Sequence, residues 1–86
     1  MQLPKLKVLA EAGAVRSVEA MPDLPAGWIV WITYATRSGV QCEALERQRG
    51  GARVFATLDA VARCLAGLGL LGFQVNIAGR AGEASP

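Results

Sequence analysis

Histidine is absent from this chain of 86 residues, and cysteine, charged residues and long apolar runs are all scarce. Histidine is the commonest general base and the commonest metal ligand, so its absence argues against a histidine-activated nucleophile and against most metal sites. The two cysteines, Cys42 and Cys64, cannot complete a four-ligand zinc site, and we expect two free, unreactive thiols. The sequence therefore predicts a protein that is not an enzyme and that holds no metal and no cofactor.

The chain also lacks a long hydrophobic segment. Its longest uncharged stretch, residues 64–79, has 16 residues and includes Gln74 and Asn76, whereas a helix needs about 20 apolar residues to span a bilayer. Near the N-terminus no apolar run resembles the core of a signal peptide. We therefore expect a cytoplasmic protein with no membrane contact, and we expect no small-molecule substrate.

Apolar residues make up 52% of the chain and charged residues only 19%. This composition is too apolar for a disordered segment, and the length fits one small domain. We predict a single domain over residues 1–78, followed by a flexible tail over 79–86. The net charge of +2 is too small to mark a nucleic-acid-binding protein by itself.

The spacing of apolar residues and of turn residues predicts an α+β fold, with a mainly antiparallel sheet of about four strands and two helices packed on it. The predicted helices cover 4–12 and about 58–68. The predicted strands cover 14–21, 28–36, 40–47 and 73–77, with a further very short one at 53–56.

The segment 28–36 (WIVWITYAT) is the clearest strand signal, and it is apolar at both odd and even positions. Such a pattern is typical of a central strand that is covered on both sides. Two short helices are too small to bury both apolar faces of this strand. We therefore expect a homodimer that forms through a sheet edge or through the uncovered sheet face.

Four arginines, Arg37, Arg47, Arg49 and Arg53, form the candidate binding patch. Three of them lie within seven residues around a glycine turn, and Arg37 lies in the predicted hairpin turn before residue 40. Arginines on a two-stranded ribbon can bind phosphates or enter a DNA groove. The other interpretation is a solvated hairpin tip, in which Arg53 lies nearest the sheet.

Two further motifs have a structural explanation. Residues 67–72 (GLGLLG) match the dinucleotide-binding pattern, but a helix is predicted before them and a strand after them, which is the reverse of what phosphate binding needs. Glycines that end a helix explain the same letters. Trp28 and Trp31 alternate to opposite faces of their strand, so we expect core packing and no shared stacking platform.

Residues 6–16 (LKVLAEAGAVR) and 48–55 (QRGGARVF), together with the segment up to Phe73, resemble the ParC-like, plasmid partition-associated family. This family consists of small bacterial accessory proteins of conjugative plasmids and integrative elements. The resemblance covers about residues 3–77 and implies a role in plasmid maintenance, partition or transfer. It implies no catalytic residues.

These observations together predict a non-enzymatic accessory protein of a mobile genetic element that binds another protein of the same element. One alternative is a nucleic-acid-binding protein that uses the arginine-rich hairpin. Another is a small domain with a structural role only. Salt-dependent retention on DNA separates the nucleic-acid-binding protein from a protein-binding module.

Overall fold

The computed structural model describes residues 1–77 and contains two helices and one four-stranded sheet. In chain order the elements are α1 (Leu3–Glu11), β1 (Val15–Pro22), β2 (Trp28–Thr36), β3 (Gly39–Ala44), α2 (Leu58–Ala66) and β4 (Gln74–Val75). The predicted α+β class is confirmed. The predicted tail over 79–86 and the predicted domain end at residue 78 lie outside the described residues. No helix within residues 1–77 is long and apolar enough to cross a membrane.

The sheet has the strand order β3-β2-β1-β4. β2 pairs antiparallel with both β1 and β3, and the two residues of β4 pair parallel with β1. A two-residue turn joins β2 to β3, whereas the parallel pair requires a long connection, which here contains α2. β2 therefore occupies an inner position with a strand on each side.

Both helices pack on the same face of the sheet. Successive strand residues point to opposite faces, and the alternate residues Val30, Ile32 and Tyr34 of β2 are buried in the core. Leu6 of α1 and Leu65 of α2 belong to the same buried cluster. The other face of the sheet has no helix over it within residues 1–77. The expectation that β2 is covered on both sides is therefore met on one face only.

The start of α2 is set by a local capping interaction. The side-chain oxygen of Thr57 accepts a hydrogen bond from the backbone N–H of Ala60 at 3.1 Å, which satisfies one of the amides left free at a helix N-terminus. Asp59 lies in the first turn, where the helix dipole favours a negative charge. The predicted start of this helix is confirmed.

The glycine-rich segment 67–72 ends α2, as the order of elements predicted. Gly69 has a φ of +80°, and the N–H of Leu70 bonds the carbonyl of Leu65 at 3.0 Å. The N–H of Gly69 bonds the carbonyl of Ala66 at 3.0 Å. These two bonds are the Schellman pattern of a helix C-terminus, so the segment does not begin a helix and does not form a dinucleotide-binding turn.

The chain between β3 and α2 differs most from the prediction. β3 ends at Ala44, and the predicted strand over 53–56 is reduced to a single bridge, in which Phe55 and Trp28 exchange two backbone hydrogen bonds of 2.8 Å. The N–H of Leu45 still bonds the carbonyl of Val30 at 2.8 Å, after which the chain leaves the sheet. The side chains of Leu45 and Phe55 are buried in the core. Burial of these two side chains explains the apolar pattern without a regular strand.

Candidate functional site

The sheet face opposite the two helices is the candidate binding surface, which we call the helix-free face. It is formed by alternate side chains of β1, β2 and β3, because paired residues of neighbouring strands point to the same side. Its members are Ser17, Glu19, Met21, Ile29, Trp31, Thr33, Ala35, Val40, Cys42 and Ala44. None of them belongs to the buried core cluster.

Trp31 lies at the centre of the helix-free face. It pairs with Glu19 on β1 and with Ala44 on β3, and Thr33 follows it two residues along β2. A shallow depression of about 400 Å³ opens at this position, and its lining residues are Ser17, Glu19, Met21, Trp31, Thr33 and Cys42. The depression is therefore built from three adjacent strands and is apolar at its centre.

The side chains that line this depression carry negative charge only. Glu19 is the one carboxylate that lines it, and no lysine or arginine does so. A phosphate group would be repelled by this carboxylate, because like charges at short distance are unfavourable. The surface is suited to an apolar partner that also presents a basic side chain.

The structure separates the four candidate arginines into two groups. Arg37 lies in the turn between β2 and β3, whereas Arg47, Arg49 and Arg53 lie on the loop that follows the other end of β3. The six residues of β3 lie between the two groups, and a strand advances about 3.3 Å per residue. The candidate patch is therefore not one surface.

Two of the three loop arginines already make contacts within the chain. The Nε of Arg47 donates to the carbonyl of Gly50 at 3.3 Å, within its own turn. The guanidinium of Arg53 stacks on the ring of Phe55 at 4.9 Å from the ring centroid, and this arginine is half-buried. Arg47 and Arg49 are exposed, so Arg49 is the one of the three loop arginines best placed to meet a phosphate.

A second depression, of about 370 Å³, lies beside the start of α1. It is lined by Gln2, Leu3, Pro4, Glu46, Gln48 and Arg53. Its walls carry one cation and one carboxylate, and the Gln2 side-chain amide already donates to the carbonyl of Gln48 at 3.1 Å. The lining therefore provides no converging set of donors for an anion.

A hydrogen-bonded cluster links the start of the chain to β2 and β3. The Tyr34 hydroxyl donates to the Glu43 carboxylate, which also accepts from Lys5 Nζ at 2.8 Å. Lys5 Nζ donates to the Tyr34 oxygen as well, at 3.0 Å, and the ammonium group of Met1 lies 3.2 Å from Glu43. The hydrogen bonds from Lys5 and then from Tyr34 lower the pKa of Glu43 to about 2. The hydrogen bond to Glu43 also raises the pKa of Lys5.

This cluster has a structural role. A carboxylate with a pKa of about 2 stays ionised at neutral pH, so Glu43 has no proton to donate as a general acid. Sequence reasoning missed the cluster because Lys5 and Tyr34 are 29 positions apart and belong to different elements. No local spacing pattern indicates such a contact.

The two cysteines lie on different sides of the sheet. Cys42 is exposed on the helix-free face, and Cys64 of α2 packs against the core. Both are free, as expected. Within residues 1–77 no three side chains of histidine, cysteine, aspartate or glutamate are grouped so that they could hold a metal ion.

Comparison of the chain with protein-family models, with curated proteins and with solved structures finds no match. The relationship to the ParC-like family therefore stays a prediction from residues 6–16 and 48–55.

Proposed function

We propose that this protein is a non-enzymatic accessory protein of a mobile genetic element, and that it binds another protein through the helix-free face. The observation that carries the proposal is the apolar surface around Trp31, which no helix within residues 1–77 covers. Contiguous exposed apolar surfaces with polar margins are typical of interaction sites. The mobile-element setting is supported by the resemblance to the ParC-like family.

The side chains of this face are of the types found at the centres of protein interfaces. Tryptophan and methionine are enriched there, and tryptophan is among the residues that contribute most to binding. Trp31 and Met21 are half-buried, so neighbouring side chains already restrict them and little rotamer freedom remains to be lost. Ser17 and Glu19 provide a polar margin on β1. The partner we propose has an apolar surface and a lysine or arginine that meets Glu19.

A protein partner is favoured over nucleic acid. The helix-free depression carries a carboxylate and no cation, and Arg37 lies away from the loop that carries Arg47 and Arg49. Affinity for nucleic acid comes mostly from several cations that contact phosphates together. Here none of the four candidate arginines lines the depression around Trp31.

The test compares a variant of the face with a variant of the arginine loop. Wild-type protein, Trp31→Ala, and the double variant Arg47→Ala plus Arg49→Ala are used to recover partners from a nuclease-treated lysate of the host. We expect Trp31→Ala to weaken recovery of the partner by about 30-fold or more, because truncation of a central interface tryptophan costs at least about 2 kcal/mol. The loop double variant should recover the partner as the wild type does.

Two controls make the result interpretable. Trp31→Phe keeps an aromatic side chain at the same position and should retain most of the recovery. Circular dichroism should show the same fold for every variant. Loss of recovery in the loop double variant, or steeply salt-dependent retention of the wild type on DNA, would contradict the proposal and favour the nucleic-acid alternative.

A further inference from the structure

β3 is an outer strand of the sheet, and its one charged side chain, Glu43, is held by Lys5 and by the ammonium group of Met1. Gly39–Ala44 contains no lysine and no proline, and its register with β2 runs without a bulge. Charged side chains (lysine above all), prolines and bulges are the devices by which natural edge strands avoid pairing with other chains. This edge is therefore available for pairing.

The hydrogen-bond pattern shows which backbone groups of β3 point outward. Leu45 donates to the carbonyl of Val30 at 2.8 Å, and the direction of these bonds alternates along an antiparallel strand. The odd-numbered residues of β3 therefore bond to β2, while the N–H and C=O groups of Val40 and Cys42 point away from it. No backbone partner for these outward groups is present within residues 1–77.

Met1 limits this edge at one end. Its ammonium group donates to the carbonyl of Ala44 at 2.6 Å, and its own carbonyl accepts from the N–H of Glu46 at 2.6 Å. At the other end, the hairpin turn carries the chain away from the edge before Gly39. The part of the edge whose outward backbone groups are free is therefore short. It runs from Val40 to Cys42, with Gln41 at its middle.

We propose that this free edge pairs with the same edge of a second copy, antiparallel and centred on Gln41. In this register Val40 of each copy lies opposite Cys42 of the other, and each of the two residue pairs exchanges two hydrogen bonds. The two four-stranded sheets become one continuous sheet. The outward groups of both residues are then satisfied.

The position of Met1 selects this register. If the pairing were centred on Cys42, Met1 of one copy would occupy the place of Gly39 of the other. If it were centred on Val40, only one residue pair would exchange hydrogen bonds, because the chain has left the edge before Gly39. Centring on Gln41 avoids the collision and uses every free outward group.

The side chains agree with this arrangement. Val40 is 64% exposed in the single chain and would be covered by Cys42 of the second copy on the helix-free face. On the helix side the two Gln41 side chains would face each other, as a neutral polar pair. Glu43 would lie opposite Gly39, so no like charges are opposed. Pairing would also join the two helix-free faces into one surface, although it does not depend on partner binding by Trp31.

The first test measures the mass in solution. By light scattering at roughly 100 µM, a concentration suited to a micromolar interface, the wild type should have twice the chain mass of 9.0 kDa. Cys42→Pro removes an outward N–H and leaves the ladder to β2 intact, as proline does on edge strands, and it should be monomeric. Cys42→Ser keeps the N–H and should stay dimeric, as should Trp31→Ala. A monomeric wild type, or a dimeric Cys42→Pro, would overturn the inference.

The second test measures the register and does not depend on the proline variant. Residues opposite each other in a non-hydrogen-bonded pair have Cα atoms about 4.5 Å apart, which lies within the range for a disulfide. Gln41→Cys combined with Cys42→Ser should therefore form a covalent dimer on mild oxidation. The matched control, Arg37→Cys combined with Cys42→Ser, places an exposed thiol in the hairpin turn and should form no covalent dimer under the same oxidation.

The native thiol provides a further check on the register. In the proposed pairing each Cys42 lies opposite Val40 of the other copy, about 5.5 Å across the two strands, and the second Cys42 is two residues of about 3.3 Å further along. The two Cys42 Cα atoms are therefore roughly 9 Å apart on the diagonal. This separation is too long for a disulfide. A covalent dimer of the wild type through Cys42, or the absence of one with Gln41→Cys, would refute the centre at Gln41. Because Trp31→Ala affects only partner recovery, failure of the dimer and failure of the binding face give different results.

Discussion

Replacement of Tyr34 by phenylalanine tests the energetic contribution of the polar cluster that joins α1 to the sheet. Tyr34 is 4% exposed, so its ring stays packed in the core and only the hydroxyl is lost. That hydroxyl donates to Glu43 and accepts from Lys5 at 3.0 Å. Hydrogen bonds to charged groups contribute about 1.5–3 kcal/mol. Because the side chains of Glu43 and Lys5 are 36% and 49% exposed, solvent screening reduces this contribution to about 1–1.5 kcal/mol.

The loss of stability should depend on pH. The pKa of Glu43 is lowered from 4.5 to about 2 in the folded protein. A group with a lowered folded pKa stabilises the protein above its unfolded pKa, and this stabilisation is lost as the pH falls from about 4.5 towards 2. Tyr34→Phe removes one of the two main hydrogen bonds that lower the pKa. Both proteins lose this stabilisation together just below pH 4.5, and the variant stops losing it first because its folded pKa for Glu43 is less lowered. The difference in unfolding free energy between wild type and variant should therefore be largest near pH 7 and should shrink as the pH falls towards 2.

Urea unfolding followed by tryptophan fluorescence measures this difference at pH 7 and pH 3. The urea midpoint of Tyr34→Phe should fall with an unchanged m-value, and its melting temperature at pH 7 should be about 5–10 °C lower, as a domain of this size loses about 4–8 °C per kcal/mol. Thr33→Val is the matched control, since it removes a hydroxyl from the same strand but from the opposite face. A difference that does not change with pH, or one below about 0.3 kcal/mol at pH 7, would refute this account of the cluster.

Three further substitutions test the packing and the ends of α2 by urea unfolding. Leu65→Ala should cost about 3 kcal/mol because Leu65 is 1% exposed in the core, whereas Leu71→Ala, at a position 90% exposed, should cost less than about 0.5 kcal/mol; equal costs would contradict the assignment of the core. Thr57→Ala should cost about 1 kcal/mol through the lost cap, and Thr57→Asp should restore most of it; no change on Thr57→Ala would mean that the cap is not formed. Gly69→Ala should cost about 1 kcal/mol, because φ is +80° there although space for a Cβ is open; a neutral result would mean that the helix ends in another conformation.

The elements that the sequence determined by itself are those set by neighbours along the chain. The extent of β2, Trp28–Thr36, agrees with the prediction because a run of β-branched and aromatic residues favours extended backbone at every position. α2 begins after Thr57 and ends before Gly69 because a side-chain cap and a residue that tolerates positive φ act within one helical turn. The class of fold followed from these elements.

Other features depended on contacts between distant parts of the chain, and only the tertiary structure decided them. A strand that is apolar at every position does not indicate which of its faces the helices cover, so the identity of the helix-free face could not be read from 28–36. Arg37 and Arg47 are separated because β3 is extended between them and places them beyond its opposite ends. The contact of Lys5 with Glu43 has no local signal, because it depends on where α1 docks against the sheet. Local backbone preferences act over a few residues, whereas docking is decided by burial summed over the whole core.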